Sequence, residues 1–190
     1  NEDIALMRTI PGMTIINPAD AVEARAAVEA AILTKGPMYL RFGRLAVPVI
    51  NDRATYRFEL GKGVQMTEGN DVTIVATGLM VGIALEAAEL LKADGIAARV
   101  INIHTIKPID EEIILKAAAK TGRIFTVEEH SVIGGLGDAV AGVLSEKCPT
   151  KLTKIGINDV FGESGPAVEL LHKYKLDAEG IAERVSAEMK

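Results

Sequence analysis

Cysteine is almost absent: Cys148 stands alone among 190 residues, so no internal disulfide can form, which favours a reducing, cytoplasmic compartment over a secreted domain. Charge of one sign is never gathered into a block. With 21 basic against 26 acidic residues and a formal charge of −5, no broad basic face awaits nucleic acid or anionic lipid. Small molecules and other protein subunits remain as partners. Long apolar runs are missing too, because the most membrane-like stretch, Val72 to Leu91, is interrupted by Glu86 and Glu89 and divided at Gly78. It reads as a buried strand followed by a helix. The opening Asn1-Glu2-Asp3-Ile4-Ala5-Leu6-Met7 has no basic region, apolar core or initiator methionine, and reads as an interior stretch, not a native beginning.

Several catalytic signatures are also missing. His104, His130 and His172 lie far apart, and none has a histidine or cysteine partner at metal-ligand spacing, which argues against a zinc site. No Gly-x-Ser-x-Gly elbow or phosphate loop occurs, so hydrolase and P-loop readings have no motif behind them.

What is present is a hydrophobic fraction of 48%, enough for one or two buried cores and incompatible with a disordered or fibrous chain. The first segment reads helix, strand, helix, strand. Ile4, Ala5 and Arg8 keep helical spacing before Pro11-Gly12, and Thr14 to Asn17 is a short β-branched run ending at a proline. Asp20 then caps a helix, Glu23 completes a capping box, and Val28, Ala31 and Ile32 predict a buried stripe that stops at Gly36. Met38 to Phe42 follows as a strand. From Gly43 to Asn70 the pattern dissolves into an extended linker with room for one hairpin, and the domain boundary falls here.

After Asn70, short apolar runs alternate with helices, the signature of parallel strands covered by helices. Strands are predicted at Val72–Ala76, Ala97–Ile101, Arg123–Val127 and Lys151–Ile155, with helices near Leu79–Asp94, Glu111–Thr121 and Leu136–Lys147. Asp110 caps the middle helix and Gly122 ends it. A last helix opens at Asp177, with Leu176 and Ile181 placed as a hydrophobic staple.

Two stretches could carry chemistry. Glu128-Glu129-His130 runs into Gly134-Gly135-Leu136-Gly137-Asp138 between a strand and a helix, where open α/β sheets bind ligands. The glycines could let amides approach an anion or a neighbouring subunit; equally, they could make only a sharp turn beside solvated acids. Arg41 and Arg44 stand at the end of a strand and could grip a phosphate or carboxylate. Residues three apart in a strand face opposite sides, so both reach one ligand only if the backbone turns at Gly43; pairing with surface acids is the alternative. Thr77-Gly78-Leu79-Met80-Val81-Gly82 lacks the first glycine of a dinucleotide turn and is better explained by tight helix-on-sheet packing.

Taken in order, these segments resemble one family. Glu2 to Arg8 with Ile10-Pro11-Gly12-Met13, then Pro18-Ala19-Asp20, then Gly36-Pro37 with Arg41 and Arg44, is similar to the closing half of the transketolase pyrimidine-binding domain. Asp71–Gly78, Ile106-Lys107-Pro108-Ile109-Asp110, Thr126-Val127-Glu128-Glu129-His130 and Gly134-Gly135-Leu136-Gly137 resemble the transketolase C-terminal domain. The resemblance implies an α/β fold in three parts. Residues 1–52 would close the pyrimidine-binding domain, 53–70 would link, and 71–190 would form a three-layer α/β/α domain with a mainly parallel sheet.

It also implies a reaction, transfer of a two-carbon ketol unit between sugar phosphates, with thiamine diphosphate as electron sink and magnesium in the complete enzyme. The family's activating glutamate, stacking aromatics and sugar-handling groups would lie upstream of Asn1, so no catalytic, cofactor-binding or metal-binding residue is expected in this chain, which would be inactive alone. Arg44 aligns with the family's phosphate-binding arginine, and Arg41 is a secondary candidate because related synthases carry an arginine there. Glu129, His130, Gly134, Gly135 and Gly137 would make structural contacts near a subunit interface. The implied partners are an N-terminal transketolase segment or subunit, a homodimer mate and sugar phosphates of the pentose phosphate pathway, without nucleic acid or membrane. A 1-deoxyxylulose-5-phosphate synthase and an oxoacid dehydrogenase β subunit share this architecture. A non-catalytic α/β oligomerisation or binding module is the alternative from another class.

Overall fold

The computed structural model describes residues 1–189. Its larger sheet contains β3 (Val64–Gln65), β4 (Val72–Ala76), β5 (Ala98–Asn102), β7 (Arg123–Ser131) and β8 (Lys151–Ile157), in the order β3-β5-β4-β7-β8. β4 runs parallel to β5 and β7, and β7 to β8; β3 alone is antiparallel. Alternation along the strands sends side chains to two cores. Ile74, Ala76 and Phe125 pack with α3 (Met80–Ala93) and α7 (Ala178–Met189). Val75 and Ile124, one residue out of step, pack with α4 (Glu111–Thr121) and α5 (Leu136–Lys147) on the other face. The central strands are covered on both sides, and all five residues of β4, Thr73 included, are buried.

Local signals set the helix ends. Asp110 Oδ1 accepts from Ile113 N at 3.3 Å, and Gly122, at φ 62°, takes the left-handed turn that ends α4. Asp177 Oδ1 accepts from Gly180 N at 2.9 Å, and Leu176 and Ile181 are buried in one cluster, as a staple requires. No helix among the described residues is long and apolar enough to cross a membrane.

The amino-terminal part is α1 (Asp3–Thr9), β1 (Thr14–Ile16), α2 (Ala21–Leu33) and β2 (Met38–Leu40). Its small sheet has the order β2-β1-β6, with β1 parallel to β2 and antiparallel to β6 (Thr105–Lys107). β6 follows β5 directly and pairs with β1, so the small sheet takes a strand from the carboxy-terminal part and the chain links the two sheets between β5 and β6. The predicted stripe on α2 is not buried: Val28 is 41% and Ile32 77% exposed, and the helix instead buries Glu23 and Ala27. The reason is that no described element lies over the Val28 and Ile32 face. In the linker, β3 adds one antiparallel strand to β5 in place of a hairpin. β6 and α6 (Ala167–Lys173) escape the sequence patterns, since β6 has three residues and α6 buries none of its seven.

Candidate functional site

β2 ends at Leu40, and Arg41 extends the ladder by donating its N–H to the Ile16 carbonyl at 2.8 Å. The Arg41 side chain is only 16% exposed and is engaged by acids from both parts of the chain. Nε donates to Asp3 Oδ2 at 2.9 Å, Nη1 faces Glu129 Oε2 at 3.5 Å, and Nη2 donates to the Glu129 carbonyl at 3.1 Å. The Tyr39 hydroxyl donates to the same Asp3 oxygen at 2.8 Å. Partial burial opposes charge on Asp3, but the Arg41 guanidinium and the Tyr39 hydroxyl outweigh it and hold the carboxyl below its usual range.

Arg44 lines the same cleft, which has a volume of about 890 Å³, and the backbone bends at Arg44-Leu45, just beyond Gly43. Arg44 is exposed and makes no hydrogen bond or ion pair with any described residue. Glu163 and Ser164, from the segment before α6, form the facing wall. Asp3, Tyr39, Glu163 and Ser164 were not identified from the sequence. Asp3, Glu163 and Ser164 lie far along the chain from Arg41, and no local spacing relates them to it. Tyr39, two residues before Arg41, shares its face of the strand, and period-two spacing could have found it.

The Glu128–Gly137 stretch is part strand and part turn, because β7 runs on to Ser131. Alternation then separates its titratable residues. Glu128 and His130 point inward and are fully buried, while Glu129 faces the cleft. The Glu128 carboxylate accepts from the N–H groups of Leu136 at 2.7 Å and Gly137 at 2.8 Å, the first turn of α5. Burial pushes its pKa up to about 7 in spite of these two donors. His130 sits with Nδ1 3.7 Å from Glu128, but that nitrogen is closer to the Ser131 carbonyl at 2.7 Å, while Nε2 accepts from Ala5 N at 3.4 Å. This fixes a neutral imidazole with the proton on Nδ1, and burial holds its pKa down.

The glycines permit close approach here. A Cβ on Gly135 would meet the Glu128 carboxylate and come within 2.7 Å of His130 Nδ1. At Gly134, φ is +79° and a Cβ would fall 2.6 Å from that of Ala5 on α1. The anion held by the free amides is therefore the chain's own Glu128, and the neighbour that packs on the turn is α1 of the same chain. Arg8 Nη1 donates to the Gly134 and Gly135 carbonyls, at 2.5 and 3.1 Å, and Ser131 N donates to the Asn1 carbonyl at 2.8 Å.

A second polar seam crosses the junction. Buried Glu23 accepts from Asn102 Nδ2 at 2.8 Å, from Ala19 N at 2.6 Å and from the Tyr56 hydroxyl. Burial raises its pKa. His104 is stacked near Phe58, with ring centroids 4.3 Å apart, and burial lowers its pKa to about 4.

No group of three or more His, Cys, Asp or Glu side chains that could hold a metal occurs among the described residues. The acids at the cleft are already engaged, Asp3 and Glu129 by Arg41 and Glu163 by Lys173 and Tyr174. The described residues of this chain do not by themselves fit a metal–diphosphate cradle.

A mainly parallel sheet covered on both faces, linked through β5 and β6 to a smaller sheet and bearing a polar cleft at strand ends, is an α/β architecture of the kind that binds ligands at the carboxyl edge. A family model for the transketolase C-terminal domain matches residues 61–181, and one for the transketolase pyrimidine-binding domain matches residues 1–49. The chain belongs to the transketolase family. It is 49% identical over 193 residues to a putative transketolase C-terminal section from Methanocaldococcus jannaschii, covering 100% of this chain and 60% of that protein. It is 48% identical over 180 residues to a 6-deoxy-6-sulfo-D-fructose transketolase subunit from a Clostridium species, covering 95% of this chain and 56% of the other. A solved split-gene transketolase, described as an inactive β4 tetramer, superposes with a TM-score of 0.94 at 51% identity, covering 99% of this chain and 61% of that one. The chain thus spans about three-fifths of the length of these relatives.

Proposed function

We propose that this chain is the carboxy-terminal portion of a thiamine-diphosphate-dependent enzyme that transfers a two-carbon ketol unit between sugar phosphates, and that Arg44 binds the terminal anion of the sugar. The observation that carries the site is the contrast between two arginines on one cleft. Arg41 is engaged by Asp3 and Glu129, whereas Arg44 lines the open space without a partner among the described residues. A planar guanidinium suits a tetrahedral oxyanion through paired, charge-assisted hydrogen bonds. A relative named for a sulfonated fructose fits the same chemistry, because a sulfonate presents the same oxygen geometry as a phosphate.

In this reading Arg41 shapes the cleft, and its contact with substrate is secondary. Thiamine diphosphate supplies the electron sink and magnesium binds the diphosphate, both held by an N-terminal section or subunit. The working enzyme contains two copies of the active unit and acts in the cytoplasm. Glu129, His130 and the glycines at 134, 135 and 137 are structural, joining the two parts of the chain and supporting the surface on which subunits meet.

Two measurements test this. With the upstream section supplied, Arg44→Ala should weaken phosphorylated substrates far more than unphosphorylated ones; equal losses would remove the role. Calorimetric titration of thiamine diphosphate with magnesium should show binding only when chain and partner are mixed. Ketol transfer by the isolated chain would refute the division of labour.

A further inference from the structure

Asp20 caps α2 with one carboxylate oxygen and holds a distant segment with the other. Oδ1 accepts from Glu23 N at 2.8 Å, while Oδ2 accepts from both Ile50 N and Asn51 N at 2.8 Å. The residue is only 3% exposed, so these contacts are shielded from water. Between Arg41 and Ile50 runs the segment that carries Arg44. Residues 42–49 make no hydrogen bond, through backbone or side chain, with any described residue. Open space borders the segment on several sides, in the cleft of about 890 Å³ and in two smaller hollows of about 340 and 310 Å³. Half-buried Leu45 and Val47 give it some apolar packing, but its hydrogen-bonded anchors lie only at its two ends. Arg41 secures one, through the Ile16 carbonyl, Asp3 and Glu129. The Asp20 carboxylate secures the other.

We propose that Asp20 is the positioning residue for Arg44: by gripping Ile50 and Asn51 it fixes the far end of the 42–49 arch and so sets where the guanidinium meets the sugar's terminal anion. The inference rests on the anion-binding reading of Arg44 given above. The physical reason is entropic. An arch without internal hydrogen bonds samples many conformations once one end is released, and ordering it again on binding subtracts from affinity.

Asp20→Ser separates this role from helix capping. Serine caps a helix about as well as aspartate and keeps an acceptor for Glu23 N, but it has no second oxygen for Ile50 and Asn51. In the full-length protein, inorganic phosphate binding is measured by calorimetry and amide exchange over residues 42–51 by mass spectrometry. Asp20→Ser should leave amide exchange in α2 close to that of the wild type, speed exchange across 42–51, and weaken phosphate about tenfold, the scale of one charge-assisted hydrogen bond. In an Arg44→Ala background it should weaken phosphate no further, because the positioned group is gone. Unchanged exchange overturns the proposal, as does a phosphate affinity within about twofold of wild type when Arg44→Ala alone weakens binding. If Arg44→Ala has no effect on phosphate while Asp20→Ser still speeds exchange, the anion-binding reading is what fails, and the positioning role falls with it.

Discussion

Arg41 donates through Nη2 to the backbone carbonyl of Glu129 at 3.1 Å and faces its carboxylate at 3.5 Å, so a side chain at the end of β2 is locked to the end of β7. With Asp3 on its other side, Arg41 ties the amino-terminal part to the large sheet at the floor of the cleft. The second arginine, three residues on, has no hydrogen-bond or ion-pair partner among the described residues.

Replacing Arg41 with methionine should destabilise the protein by about 1–3 kcal/mol, since two partly buried carboxylates lose their counter-charge. The loss should depend on pH. The folded-state pKa of Asp3 is depressed, so its stabilisation is present above the ordinary value of 3.8 and disappears as pH falls through the folded value. Urea midpoints of wild type and variant should differ at pH 7 and converge under acid. A gap that persists unchanged at pH 2 would mean that the ion pair is not its source.

Glu128 should titrate in the opposite sense. Its folded pKa is raised from 4.5 to about 7, so the stabilisation is complete below 4.5 and is lost as pH rises through 7. Relative to Glu128→Gln, which cannot ionise, the wild type should lose on the order of 3 kcal/mol over that interval. His130, buried neutral, loses stabilisation as pH falls, but it is present in both proteins and cancels in the comparison. Thermal scans from pH 4 to 8 that show a constant difference would rule this out.

Two glycines should respond in opposite directions to alanine. At Gly135 the new methyl collides with the Glu128 carboxylate and the His130 ring, and about 1–3 kcal/mol should be lost. At Gly142, inside α5, nothing lies within 4 Å and φ is ordinary, so helix propensity should add about 0.5–1 kcal/mol. Chemical denaturation of both variants checks the sign of each.

Tyr56→Phe should cost about 1–2 kcal/mol, because buried Glu23 loses a donor that no solvent can replace. An unaltered denaturation midpoint would show that the hydroxyl contributes nothing to the seam.

Most of the large sheet could be read from residue order because its signals are local. β4 is a buried β-branched run, α4 carries its own cap and glycine stop, and Asp177 announces α7 within a few residues. Val28 and Ile32 misled for a related reason. Helical spacing shows which residues share a face, but not whether anything covers it.

The amino-acid order by itself determined the alternating strand and helix pattern, the resemblance to transketolase and the candidacy of Arg41 and Arg44. Only the tertiary structure separated the two arginines. It placed Arg41 against Asp3 and Glu129, 38 and 88 residues away, and tied Asp20 to a backbone 31 residues beyond it. Periodicity and capping act over one or two turns of chain, whereas the charge partners of a side chain depend on which distant strands end side by side.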